Sequence, residues 1–391
     1  MATQCRLTRK ANITIQDYEL IQDQSRFLRV VDTLRKQPRI AFDLETNGFF
    51  RYPERVCLIQ IAIPAGQVFI IDPLALGDMT PLGDVLSDER VQVILHSGDH
   101  DIRSLDRDWG FRVTSLFDTS IAAAFTGMDR LGLATVLESS LGISITKDKK
   151  LQRSDWTIRP LKPKALRYAA DDVHYLLELA ETLKKRLSTL GRLEWVAEES
   201  GRISAIRYEQ PDPETAVFRV KGARHLNTRG LAILKSLVSY REIHTLRVGR
   251  PHFRVIPDAA LVSIAANPDS SLKKVRGLGR FAHGRLAADL REAIRRGQKA
   301  DPLKRPVVRR SRTNMTKAQQ AAARRHLDRL KKWRTAQGKS LTLDPALIWP
   351  MRSLKSIAGS PQDMDEAMHS PEVRHWQRVE FETSLRQVLQ Q

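Results

Sequence analysis

The acids of this chain fall in a pattern suited to divalent-cation chemistry. In RIAFDLETNGFF, residues 39–50, Ile40, Phe42 and Leu44 alternate with Ala41, Asp43 and Glu45. Side chains at i and i+2 of a strand share a face, which sets the two carboxylates on one side, about 7 Å apart along the chain. Like charges held together raise the pKa of one of them unless a cation neutralises both. Carboxylate oxygens suit Mg²⁺ or Mn²⁺. A lone Asp-x-Glu also describes a strand end that meets water, so the metal reading requires further acids to converge on the pair.

Two helical segments supply them. In LHSGDHDIRSLDRDWG (95–110) Asp99 lines up with Arg103 and Arg107 on a polar stripe, where it is a candidate N-cap. Asp101 lines up with Leu105, beside Ile102 and before Trp109, on the apolar stripe. In LRYAADDVHYLLELA (166–180) Asp171 shares its stripe with Arg167, His174 and Glu178. Asp172 shares its face with Tyr168, Leu176 and Leu179. Asp101 and Asp172 therefore face inward, and an inward acid needs a partner. Asp118, before an Ala-rich helix, reads as an N-cap or nearby support. Asp43, Glu45, Asp101 and Asp172, with Tyr168, could hold two cations about 3.5–4 Å apart across a scissile phosphate. One cation would activate water and the other would stabilise the leaving oxygen.

The elements that must position these residues read as α/β. Strands are expected at 39–45, 55–64, 67–72 and 91–97, with a hairpin turn at Pro64–Gly66 and the last strand parallel to the first. Helices dominate from there to about residue 190, interrupted by the charged loop 145–160. Residues 208–215 read as a linker, 216–298 as mostly helical, 299–316 as a basic linker, and 317–391 as helical again. The length of 391 residues implies two or three domains. Residues 1–200 hold 27 Lys and Arg against 28 Asp and Glu, a net of −1, and residues 201–391 hold 38 against 17, a net of +21. One part acts and another holds a polyanion. With only 6% aromatic residues, charge should outweigh base stacking. No apolar run is long enough to span a membrane, the N-terminus lacks the apolar stretch of a signal peptide, and two cysteines give no disulfide framework. A cytoplasmic location is expected.

FDLET, LHSGDHDIRSL and YAADD resemble the three motifs of the DEDD superfamily of 3′–5′ exonucleases. The third has the Tyr-x-x-x-Asp form, with Arg167 where the histidine branch has its His. DTSIAAAF, LQRSDWTIRPL and ALRYAADDVHYLLEL are similar to segments of ribonuclease D, and this likeness covers about residues 12–200. Residues 226–279 are similar to the helicase-and-RNase-D C-terminal (HRDC) module, and MRSLKSIA with the basic helix 317–334 resembles it weakly.

The resemblance implies an α/β ribonuclease H-like exonuclease domain, a mixed sheet flanked by helices, followed by one or two small all-α HRDC domains. The boundaries expected are 1–207, 208–298, the basic linker 299–316, and a degenerate second module at 317–391. It also implies two divalent metal ions, Mg²⁺ or Mn²⁺: Asp43, Glu45 and Asp172 hold the first, and Asp43 with Asp101 through water holds the second. Tyr168 orients the attacking water, and 5′-mononucleotides leave from an RNA 3′ end. The backbone of Thr46 is a candidate sugar contact. His96 is a candidate substrate contact, although a lone His at a strand end is more often structural. Lys147, Lys149 and Arg153 are candidates to line an entry channel. The expected partner is RNA with a free 3′ end, such as a tRNA precursor, with no membrane and no obligate protein partner. The alternatives are DNA 3′ ends, and a non-catalytic nucleic-acid-binding adaptor, against which the intact acid set argues. A chain ending near residue 210 is expected to keep the chemistry on short oligomers and to lose affinity for long RNA.

Overall fold

The computed structural model describes residues 18–145, 148–306 and 315–390. Its centre is a six-stranded mixed sheet in the order β1-β4-β3-β2-β5-β6. The strands are β1 (Tyr18–Ile21), β2 (Arg39–Thr46), β3 (Val56–Ala62), β4 (Val68–Ile71), β5 (Gln92–Leu95) and β6 (Leu116–Asp118). β2, β3 and β4 form an antiparallel meander, and β5 and β6 extend it in parallel beside β2. β1 closes the other edge, parallel to β4. The four strands expected from alternation are present. β1 and β6 add two short edges that the sequence pattern did not reveal.

The alternation in β2 sorts its side chains between two cores. Ile40, Phe42 and Leu44 pack with Phe27, Val30 and Val31 of the helix α1 (Gln24–Leu34). Ala41 packs on the opposite face with Ala169, Ala170 and Val173. Asp43 and Glu45 therefore emerge on the second face. The helices that complete this body include α2 (Thr80–Ser87), α3 (Asp99–Trp109), α4 (Thr119–Phe125), α5 (Leu133–Leu141), α6 (Lys149–Gln152), α7 (Pro163–His174), α8 (Leu176–Thr189) and α9 (Leu193–Ser204). The charged loop around α6 is anchored: Arg159 donates to both carboxylate oxygens of the buried Asp72 at 2.7 Å, and Trp156 is buried.

The two C-terminal helical blocks attach differently. Residues 213–303 close around a core of their own, with Leu231, Leu234, Leu237, Leu261, Phe281 and Leu290 inside. This block meets the sheet domain at the loop 47–55. There the Tyr52 hydroxyl donates to Glu242 Oε1 at 2.8 Å, its ring lies 4.7 Å from that of His252, and Arg254 sits 4.3 Å above the Phe50 ring.

Residues 317–390 instead share one continuous apolar core with the sheet domain. Trp376 stacks on Trp195 of α9, with ring centroids 4.5 Å apart. The buried Arg192 donates to the carbonyls of Phe125 and Leu341, both at 2.8 Å. Gly127 has φ +91°, and a Cβ there would stand 2.6 Å from the Thr342 carbonyl oxygen, so only glycine admits this approach. No helix among the described residues is long and apolar enough to cross a membrane.

Candidate active site

β2, α3 and α7 deliver the acids to one place. A cavity of about 530 Å³ is lined by Asp43, Glu45, Asp101, Tyr168 and Asp172, together with Thr46, Phe49, His96, His100, Lys149 and Gln152. Each position has a local cause. α7 lies across the sheet face from which Asp43 and Glu45 emerge, and its apolar stripe of Leu166, Ala169, Ala170 and Val173 is buried there. The same stripe carries Tyr168 and Asp172 inward, 7% and 5% exposed. α3 starts at a tight turn in which Ser97 adopts φ +63°. Asp118 holds that turn: its carboxylate accepts from the backbone amides of Ser97 (3.1 Å) and Gly98 (2.8 Å), and also from Ser120 (2.8 Å) at the start of α4. One side chain thus caps α4 and sets the direction from which Asp101 enters.

The electrostatics match a crowded anionic pocket. Burial pushes the Asp101 carboxyl up to about 7, helped by the charges of Asp118 and Asp99, while its own backbone amide and that of Leu44 oppose the shift. The Tyr168 hydroxyl is pushed well above the usual phenol range by burial and by the charges of Asp172, Glu45 and Asp43, and it hydrogen-bonds to Asp172. At neutral pH Tyr168 is therefore a neutral phenol, able to orient a neighbour but not to serve as a base.

Other sequence candidates separate on inspection. His96 lines the cavity, but Nδ1 lies 2.9 Å from Thr119 Oγ1 and Nε2 lies 2.8 Å from the Leu131 carbonyl, a ring that holds loops together. The Thr46 hydroxyl donates to Glu54 at 2.6 Å, beside a register shift in β2 that turns the strand at its end. Lys149 stands exposed on the cavity wall. Arg153 lies 5.7 Å above the ring of Phe49 at the mouth. Lys147 lies outside the described residues. Asp99 is not the N-cap of α3: Gly98 holds that position, and Asp99 pairs with Arg103 at 2.7 Å. Arg107 turns from that stripe to Glu54 and Asp108. The sequence reading missed Phe49, which looked like an ordinary loop residue; an aromatic four positions after an acid pair was the available signal.

A 3′–5′ exonuclease family matches residues 18–188. The chain is 33% identical over 294 residues to a ribonuclease D of Gluconacetobacter diazotrophicus, covering 74% of each chain. It is 33% identical over 312 residues to a ribonuclease D of Granulibacter bethesdensis, covering 78% of each. The chain belongs to the ribonuclease D family. The crystal structure of Escherichia coli RNase D, an exoribonuclease involved in structured RNA processing, superposes with a TM-score of 0.71 at 25% identity, covering 96% of this chain and 99% of that one. As a member of the ribonuclease D family, this chain is a 3′–5′ exoribonuclease with an RNA substrate, and its exonuclease family is metal-dependent.

The donor set fits divalent cations by chemistry, being four carboxylates that line one cavity. Among the described residues no three His, Cys, Asp or Glu side chains close into a ready-made metal cage. Mg²⁺ does not require one, because it keeps several waters and binds through one or two carboxylates plus substrate phosphates.

Proposed function

We propose that Asp43, Glu45, Asp101 and Asp172 hold two divalent cations, Mg²⁺ or Mn²⁺, and that the free 3′ end of an RNA, such as a tRNA precursor, is shortened there to 5′-mononucleotides. The observation that carries this reading is the single cavity that gathers four acids from three elements around the buried Tyr168 phenol. Divalent cations in such a site supply a water activated at neutral pH and neutralise charge on the leaving oxygen. The chain's own residues do the rest. The Tyr168 hydroxyl donates to Asp172, leaving its lone pairs to accept from the attacking water and aim it at the terminal phosphodiester. Lys149 and Arg153 attract the phosphates behind the scissile bond, and the exposed Phe49 offers a face to a base. We assign residues 208–298 as the HRDC module that holds the body of the RNA, which its separate core supports, and 317–391 as a degenerate second module that has given up its own core and packs on the sheet domain; the +21 charge of residues 201–391 supports a polyanion-holding role for this half of the chain.

The test is digestion of 5′-labelled RNA and DNA oligomers of one sequence, with free or phosphate-blocked 3′ ends. RNA with a free 3′ end should shorten one nucleotide at a time, and the blocked RNA and the DNA should resist. Cleavage that ignores the 3′ block would overturn the assignment. Tyr168→Phe should cut the rate about 10²-fold or more with Mn²⁺ affinity unchanged.

A further inference from the structure

We propose that Gln60 is a positioning residue for Asp43. The inference rests on Asp43 being a cation ligand and adds the group that holds it. Gln60 lies on β3 directly opposite Asp43 in the antiparallel register, on the same face of the sheet. It is 0% exposed, and its neighbours on that face, Leu58, Ala62 and Ala41, are buried apolar residues. Neither Nε2 nor Oε1 of its carboxamide has a hydrogen-bond partner. The Nε1 of Trp156, in the same core and with its ring 6.3 Å from that of Tyr168, is likewise unpartnered.

A buried carboxamide without partners is costly, because two donors and a carbonyl have left water with nothing in exchange. Methionine would fill the same space at no such cost. An orphaned polar group in a native core calls for a function, and here the nearest chemistry is the carboxylate across the strand. Directly opposed residues of an antiparallel pair have Cβ atoms about 4.5–5.5 Å apart, so the longer Gln60 side chain can bring an N–H to an Asp43 oxygen by changing rotamer. A carboxylate offers about four acceptor sites, so Asp43 can take this bond beside its other contacts. The bond would fix the plane of the carboxylate and leave its remaining lone pairs for the cation, as partners behind metal ligands do elsewhere.

The test uses the full-length chain. Gln60→Met and Gln60→Leu are melted without metal and titrated calorimetrically with Mn²⁺, well below their melting temperatures so that any packing loss leaves the affinity readable. Gln60→Met should melt at or above the native temperature while its Mn²⁺ dissociation constant rises about 10- to 100-fold, with Gln60→Leu showing the same loss of affinity. Mn²⁺ binding within twofold of native in both variants would overturn the role of Gln60. Asp43→Asn in the same titration separates the two claims: if that variant keeps native Mn²⁺ affinity, it is the assignment of Asp43 as a ligand that fails.

Discussion

The two C-terminal helical blocks look alike in sequence, both basic and both helical, yet they are joined to the catalytic body in opposite ways. Residues 213–303 bring their own core and touch the sheet domain through a polar tip, the Tyr52 hydroxyl, a ring edge and one arginine over Phe50. Residues 317–390 have no core apart from that of the sheet domain: Leu330, Trp333, Trp349, Trp376 and Phe381 belong to the same buried cluster as Phe125, Leu179 and Val196. Order along the chain therefore does not set mechanical rank. The last block buttresses α4, α8 and α9, while the block between is an appendage docked on a loop that lines the candidate active site.

The largest effect expected from this comparison is on truncation. The sequence alone led us to expect a chain ending near residue 210 to keep the chemistry, but the shared core reverses that expectation: a chain ending there or near 316 would bare Trp195 and the surface of α4 and α8, so it should lose cooperative melting or precipitate. Circular dichroism of such truncations checks this, and a well-folded, fully active chain ending near 210 would show the last block to be dispensable. Trp376→Ala should come next, lowering stability by about 3–5 kcal/mol, as read by denaturant unfolding. Gly127→Ala should destabilise the same junction by pressing a methyl on the Thr342 carbonyl, with a smaller loss in the same assay. Tyr52→Phe should cost about 1 kcal/mol or less and should appear as faster hydrogen exchange confined to residues 47–55 and the facing helix. A global loss comparable with that of Trp376→Ala would erase the distinction between the two blocks.

Much of the site was legible in the sequence, because it is built from periodicity. The alternation around Asp43 and Glu45, and the helical faces carrying Asp101, Tyr168 and Asp172, needed no tertiary information. Asp118 could be read as a cap, but not as the carboxylate that also holds the turn before α3, since that depends on Ser97 and Asp118 meeting across β5 and β6. β1 and β6 span four and three residues, too short to show alternation, and owe their existence to the strands beside them. The amphipathic pattern of 317–390 shows that one face is buried, but nothing in it names the surface that covers that face. Gln60 left a trace, a single amide within the apolar run VCLIQIA, whose meaning appears only when the register places it opposite Asp43.

Mononucleotide release from a 3′-hydroxyl RNA by the full-length Asp43→Asn protein at saturating Mn²⁺, with RNA affinity measured in parallel, decides whether the acid cluster is the seat of the chemistry. Release should fall to the level of the chelator-treated native enzyme while RNA affinity stays within a few-fold of native. Undiminished release by the variant would mean that the cluster of acids on β2, α3 and α7 is not where the chemistry happens.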